Sequence, residues 1–346
     1  MSSFIIEGGH KLSGEVIPQG AKNEALQILS SVLLTPGEVE IDNLPDIVDV
    51  NKLIDLLSSM GVKTRKLSEG KYWFKADDIN LEFLKSDEFK EKGSSLRGSV
   101  MILGPLLTRF GIGALPRPGG DKIGRRRMDT TFLGFKELGA EFSYDSATGF
   151  FTANVPKGKL KGKNMLLDEA SVTGTANVVM AAVMAEGTTT IYNAACEPYL
   201  QQLCKIINKM GGKITGVGSN LLTIEGVTEL GGATHRCLPD MIEVGSFIGM
   251  AAMTKSELTI KDVKYDELGV IPRIFKRMGV KLERRGDDIF VPAQESYEID
   301  KYIDGSILTV SDAPWPGFTP DLLSIVLVMA TQAKGSVLIH QKMFES

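Results

Sequence analysis

The stretch Pro116-Arg117-Pro118-Gly119-Gly120-Asp121-Lys122-Ile123-Gly124-Arg125-Arg126-Arg127-Met128-Asp129 holds the residues best suited to chemistry. Its prolines and glycines continue neither a helix nor a strand, so it reads as a loop. Into that loop the chain places one acid before Asp129, namely Asp121, beside Lys122, Arg125, Arg126 and Arg127. Arginine forks match phosphate oxygens bidentately, and a carboxyl group moves protons. Together they suit a phosphorylated, anionic substrate. The same composition also fits a solvated basic turn.

Further polar groups sit where helices are expected to begin. Gly20-Ala21-Lys22-Asn23 opens an apolar helical stretch. A Lys and an Asn beside free backbone N–H groups make an anion site; Asn23 also reads as a simple cap. Arg97, in Ser94-Ser95-Leu96-Arg97, holds the equivalent place further on, and Ser171-Val172-Thr173-Gly174 is a third entrance with hydroxyls but no base. In Thr319-Pro320-Asp321 a single acid opens a helix. It can accept a hydrogen bond from a sugar hydroxyl, or serve the helix dipole.

The elements that must position these residues repeat along the chain with a period of roughly 70–80 residues. The first copy reads helix 24–34, strand 38–41, helix 48–60, Gly61 and strand 62–65. The second has helix 98–108, the basic loop, helix 130–138, Gly139 and strand 140–144. Helix 176–185, strand 188–192, helix 198–210, Gly211 and strand 213–216 make the third. The fourth is helix 243–253, strand 257–260, helix 265–278, Gly279 and strand 280–284. A fifth opens with helix 322–331 and strand 336–340, and the sequence ends at Ser346 in mid-repeat. Each copy reads strand, helix, strand, helix, strand, strand. Helices 176–185 and 243–253 are apolar nearly all round and are expected at the centre of a globule. Between a stacked solenoid and two compact domains, the length of 346 residues favours two domains.

A net charge of −4 provides no bulk field for nucleic acid or an anionic membrane. The longest apolar runs are too short to span a bilayer, and no basic segment precedes an apolar one at the N-terminus. Cys196, Cys204 and Cys237 lack CxxC spacing and read as reduced thiols, so a cytoplasmic location is expected. His10, His235 and His340 lack the pair spacings of zinc sites, and no metal is expected.

Gly20-Ala21-Lys22-Asn23, the Arg97 segment, Gly119 to Gly124, Arg126 to Asp129, Asn193 to Pro198, Pro239 to Glu243 and Thr319-Pro320-Asp321 occur in order. As a set they resemble the enolpyruvyl transferase family over the whole chain. That resemblance implies an α/β fold of two inside-out domains built from βαβαββ repeats. One domain would be discontinuous, residues 1–19 and 231–346, lacking roughly its last one and a third repeats. The other, 20–230, would carry the loop 116–129.

The implied activity is transfer of enolpyruvyl from phosphoenolpyruvate to the 3-hydroxyl of UDP-N-acetylglucosamine, the first committed step of peptidoglycan synthesis. No cofactor is implied, and a monomer is expected for the full-length protein. By position, Lys22, Asn23, Arg97 and Arg126 correspond to phosphoenolpyruvate contacts. Arg97, Arg126, Arg127, Met128, Asp129, Thr130, Ser171, Val172, Asp321 and Met343 correspond to contacts with the sugar nucleotide. Asp121 occupies the general-acid position, where most members carry Cys. Glu169 and Thr173 stand where Lys and Gly are common. A branch acting on shikimate 3-phosphate shares the repeats but lacks this acid loop, and a silent UDP-sugar-binding fragment is the other alternative.

Overall fold

The computed structural model describes residues 3–119, 128–156 and 158–343. Asp121, Arg126 and Arg127 lie outside the described residues. The chain forms two compact units: it enters one at Gly20 and leaves it at Leu238, and the flanking segments make the other.

In the unit of residues 20–238 the first copy contains helix Lys22–Ser31, which tightens into the 3-10 turn Val32–Leu34. Strand Glu38–Asp42, helix Val48–Ser59 and the paired strands Lys63–Ser68 and Lys71–Lys75 follow. Along Glu38–Asp42 the alternation has its reason: Val39 and Ile41 are fully buried, while Glu38, Glu40 and Asp42, which alternate with them, are on the more exposed face. The third copy repeats the pattern with strand Asn164–Leu166, helix Val172–Ala182, strand Thr188–Tyr192, helix Pro198–Lys209 and strands Lys213–Thr215 and Leu221–Glu225. In both sheets a leading strand runs parallel to its neighbour and the next two pair antiparallel.

The middle copy departs from the expected order. Its sheet has the three described strands Ile112–Pro116, Phe150–Asn154 and Glu141–Asp145. Ahead of them stand the 3-10 turn Leu81–Lys85 and helix Asp87–Ser94, which the repeat did not predict. Ser86 caps that helix by accepting from the Phe89 N–H at 3.0 Å. The helix expected over 98–108 is a 3-10 segment Arg97–Ile102 followed by the α-helix Leu103–Phe110. Pro105 cannot donate to Met101, so the α-helical ladder opens only around it.

One boundary differs from the repeat reading. Strand Ala233–Arg236 lies parallel to Glu38–Asp42, so residues 231–238 belong with the unit of residues 20–238. The complementary strand Glu15–Val16 lies parallel to Leu258–Ile260 in the other unit. These two sheets thus take their leading strands from distant parts of the sequence, which a period count does not reveal.

The three inner helices run parallel. The α-carbon of Gly98 packs on the Leu26 side chain, and the Arg109 guanidinium donates to the carbonyls of Leu33 and Thr35 at 3.0 and 3.3 Å. Asn177 Oδ1 accepts from the Gly104 N–H at 3.0 Å. Residue numbers rise together between the first two helices, and Met101 meets Asn177 while Gly104 packs on Asn177 and Met180, so the starts of the helices lie at one end. Every residue from Gly174 to Ala182 is buried, as the all-round apolar pattern predicts.

In the other unit the sheet is Glu15–Val16, Leu258–Ile260, Asp288–Val291 and Glu283–Arg285. Strand Leu308–Ser311 pairs in parallel with Val337–His340, with helix Leu323–Ala330 between them in sequence. Helix Met241–Met253 buries only one face: Val244, Ile248 and Ala251 are fully buried, but Met250 is 37% exposed. The expectation of a central helix there holds for that face alone. The helix expected over 265–278 is divided into a 3-10 turn Tyr265–Glu267 and helix Ile271–Arg277. Between them Gly269, at φ +53°, packs its α-carbon against the Trp315 ring, and Pro272 opens the second piece. In all four copies a left-handed glycine closes the second helix: Gly61, Gly139, Gly211 and Gly279 have φ of 101°, 92°, 103° and 90°.

Candidate functional site

Parallel inner helices bring three of the predicted entrances to one end of the unit of residues 20–238. Lys22 is the first residue of its helix, half-exposed, and forms an ion pair with Asp49 at the start of the next helix. Asn23 is exposed inside the helix, and Ala21 holds the N-cap position without a side-chain bond; the reading of Asn23 as a cap fails. Arg97 opens the 3-10 segment of the second inner helix and is half-buried. Ser171 caps the third, accepting from the Gly174 N–H at 3.2 Å, with Val172 as its first helical residue. Backbone N–H groups at the starts of parallel helices, with Lys22 and Arg97 beside them, favour bound anions.

The described ends of the basic loop approach the same place. Strand Ile112–Pro116 leads out to Gly119, whose α-carbon packs on the Ser94 carbonyl oxygen, a few residues before Arg97. A side chain at 119 would collide with that oxygen, which is why glycine stands there. The chain is described again at Met128, half-buried against the core. Asp129 follows, exposed in the first turn of helix Asp129–Glu137. Thr130 is buried, and its hydroxyl donates to Asp168 Oδ1 at 2.7 Å. Gly174 lies against the Thr130 side chain, so the Met128–Thr130 and Ser171–Val172 strips are neighbours.

Asp49 and Asp168 were missed by the sequence reading. Asp49 had a usable signal, because it lies in the first turn of the second helix of its repeat. Asp168 had none, since its role comes from the packing of one repeat on the next.

Asp321 and Met343 belong to the other unit. Asp321 is exposed in the 3-10 turn Pro320–Leu322 and accepts from the Thr319 hydroxyl at 3.2 Å. The Met343 N–H donates to Asp312 Oδ2 at 3.1 Å, and its side chain is 40% exposed. The buried Asp312 carboxylate also accepts from the Lys342 N–H at 2.6 Å, tying the segment after strand Val337–His340 to the end of strand Leu308–Ser311. Among the described residues no helix is long and apolar enough to cross a membrane.

The family model described as EPSP synthase (3-phosphoshikimate 1-carboxyvinyltransferase) matches residues 6–346. A UDP-N-acetylglucosamine 1-carboxyvinyltransferase of Bacteroides thetaiotaomicron is 66% identical over 346 residues, covering 100% of this chain and 79% of the relative. The protein of the same name from Porphyromonas gingivalis is 62% identical over the same span. Among solved structures, the enolpyruvyl transferase NikO from Streptomyces tendae superposes with a TM-score of 0.81 at 18% identity, covering 97% of this chain and 76% of that one. An EPSP synthase from Acinetobacter baumannii gives 0.69 at 15% identity, covering 97% and 75%. At those identities the structures establish the fold.

Proposed function

Because the chain belongs to the EPSP synthase family of enolpyruvyl transferases, we propose that it transfers the enolpyruvyl group of phosphoenolpyruvate to the 3-hydroxyl of UDP-N-acetylglucosamine. The observation that carries the acceptor is the 62–66% identity to carboxyvinyltransferases of that name across the full chain. Shikimate 3-phosphate, the acceptor in the name of the matched family model, is the second reading. Peptidoglycan precursor synthesis in the cytoplasm follows as the setting of the favoured one.

The reaction needs a base at the acceptor hydroxyl, an acid at the methylene carbon, and cations on phosphate and carboxylate. The acceptor oxygen attacks C2 of phosphoenolpyruvate and gives up its proton. C3 takes a proton, so the double bond becomes a single bond. The C–O bond to phosphate then breaks, inorganic phosphate leaves, and C3 returns a proton to restore the vinyl group. We assign Asp121 as the acid toward C3 and Asp321 to the acceptor hydroxyl. Lys22, Asn23, Arg97 and Arg126 are assigned to phosphoenolpyruvate. Arg97, Arg126, Arg127, Met128, Asp129, Thr130, Ser171 and Val172 hold the nucleotide, and Met343 gives an apolar contact. The common end shared by Lys22, Arg97 and Ser171 supports this, as do the described ends of the loop. A carboxyl in place of a thiol at 121 also predicts resistance to fosfomycin, because a carboxylate is a weak nucleophile.

The test is phosphate release from phosphoenolpyruvate with UDP-N-acetylglucosamine, with shikimate 3-phosphate, and with no acceptor. Release with the nucleotide sugar alone is expected; release with shikimate 3-phosphate would move the acceptor to the second reading.

A further inference from the structure

Glu24 and His235 stand 211 residues apart in sequence and meet inside the unit of residues 20–238. Glu24 is fully buried and His235 nearly so, with His235 Nε2 at 2.7 Å from Glu24 Oε1. The Leu238 N–H donates to Glu24 Oε2 at 3.1 Å, and the buried Cys237 sulfur lies within 4.8 Å of the same carboxyl. Among the described residues His235 Nδ1 is buried without a hydrogen-bond partner, so the ring is held through Nε2, which faces Glu24. Burial raises the Glu24 pKa, and the His235 contact opposes that rise. Glu, His and Cys are also zinc ligand types, but two ligands of one tetrahedral zinc stand about 3.3 Å apart. The 2.7 Å separation is that of a hydrogen bond.

The pair sits directly behind Lys22 and Asn23. The Ala21 N–H donates to the Leu238 carbonyl at 2.8 Å, and Asn43 Nδ2 donates to the Cys237 carbonyl at 2.9 Å. Residues 21 and 24 are thus each fastened to the segment 235–238, with Lys22 and Asn23 between the two fastenings. The helix has no side-chain cap to fix its first turn otherwise. A buried ionisable pair gives little net stability over apolar residues of the same volume, but it does hold one geometry.

We propose that Glu24 and His235 are positioning residues for the transfer reaction: their bond fixes the first helical turn so that Lys22 and Asn23 meet phosphoenolpyruvate in one orientation. This rests on the assignment of Lys22 and Asn23 to phosphoenolpyruvate.

The experiment compares Glu24→Leu, Glu24→Gln and His235→Asn in the full-length protein, well below each variant's Tm. Glu24→Leu and His235→Asn are expected to lower kcat/KM for phosphoenolpyruvate about 10- to 100-fold, because displacement of a binding group by about 1 Å has that effect. KM for UDP-N-acetylglucosamine should stay nearly unchanged, and Glu24→Gln, whose amide oxygen can keep the His235 bond while its NH2 meets the Leu238 N–H, should fall between Glu24→Leu and the unmodified protein. A second readout needs no turnover: the acetylation rate of Lys22, read by mass spectrometry against the exposed Lys136, should rise in both disruptive variants. If the unmodified protein transfers nothing, the proposed reaction fails, and Lys22 labelling alone decides the positioning role. Lower Tm with unchanged phosphoenolpyruvate kinetics and unchanged Lys22 labelling would overturn the proposal. So would an equal rise in KM for both substrates.

Discussion

Replacing Gly174 by alanine tests whether the Met128–Thr130 and Ser171–Val172 strips work as one nucleotide site. A Cβ at 174 would lie 2.8 Å from Thr130 Cγ2, 3.1 Å from Thr130 Cβ and 3.2 Å from Ser171 Cβ. Non-bonded carbons prefer about 3.5–4.0 Å, so the contact must open by about 0.7 Å. Thr130 cannot rotate away without breaking its 2.7 Å bond to Asp168. Overpacking of this kind costs about 1–3 kcal/mol, while alanine in a helix recovers about 1 kcal/mol over glycine. The net loss is therefore about 0–2 kcal/mol, at about 2–4 °C of Tm for each kcal/mol. Function should suffer more, because a shift of this size at a binding group raises KM for UDP-N-acetylglucosamine about tenfold. Gly134→Ala is the control. It meets a methyl of Val178 on the same pair of helices, away from the strips, and should lower Tm with KM nearly unchanged. The assay is steady-state phosphate release with thermal melting on both variants. An unchanged KM in Gly174→Ala, or an equal rise in Gly134→Ala, would show that the two strips do not act as one site.

Lys22→Ala should reduce turnover by orders of magnitude while barely moving Tm, since the half-exposed pair with Asp49 contributes at most about 1 kcal/mol; steady-state kinetics and melting check both parts. Asp121→Asn should be nearly inactive, because an amide cannot supply the acid's proton, and Asp121→Cys should gain sensitivity to fosfomycin, read as time-dependent inactivation. Burial pushes the Cys204 thiol up to about 12 and raises Cys237 well above the usual range, so brief alkylation at pH 8 of the folded protein should spare both and modify the half-buried Cys196 first, by peptide mass. The Lys261 ammonium, 2.6 Å from Asp288, holds that carboxyl below its ordinary range. A depressed carboxylate pKa stabilises the fold above the unfolded value of about 3.9, and that stability is lost as pH falls through the folded value. The Tm deficit of Asp288→Asn should therefore be present at pH 7 and vanish in acid, as melting at stepped pH would show.

The sequence exposed what is local. Glycines after the second helices, alternation in Glu38–Asp42 and the apolar stretch around Ala176 each carry a short-range physical signal, and the corresponding elements formed. Helix Asp87–Ser94 was readable from Ser86 and the acids after it, but the repeat pattern drew attention away. What stayed hidden depends on distant partners. The exchange of leading strands joins Ala233–Arg236 to Glu38–Asp42 across the length of a whole unit. His235 looked isolated because its partner Glu24 lies 211 residues away. Lys22 and Arg97 were legible as helix-entrance cations. The meeting of Thr130 with Asp168 was not, because packing between repeats decides it.

Purified full-length protein, incubated with phosphoenolpyruvate and UDP-N-acetylglucosamine, should release inorganic phosphate and form, in equal amount, a nucleotide sugar bearing a carboxyvinyl ether at the 3-oxygen, detected by mass spectrometry and carbon NMR. Phosphate release without that ether, or an ether formed only on shikimate 3-phosphate, would overturn transfer to the nucleotide sugar.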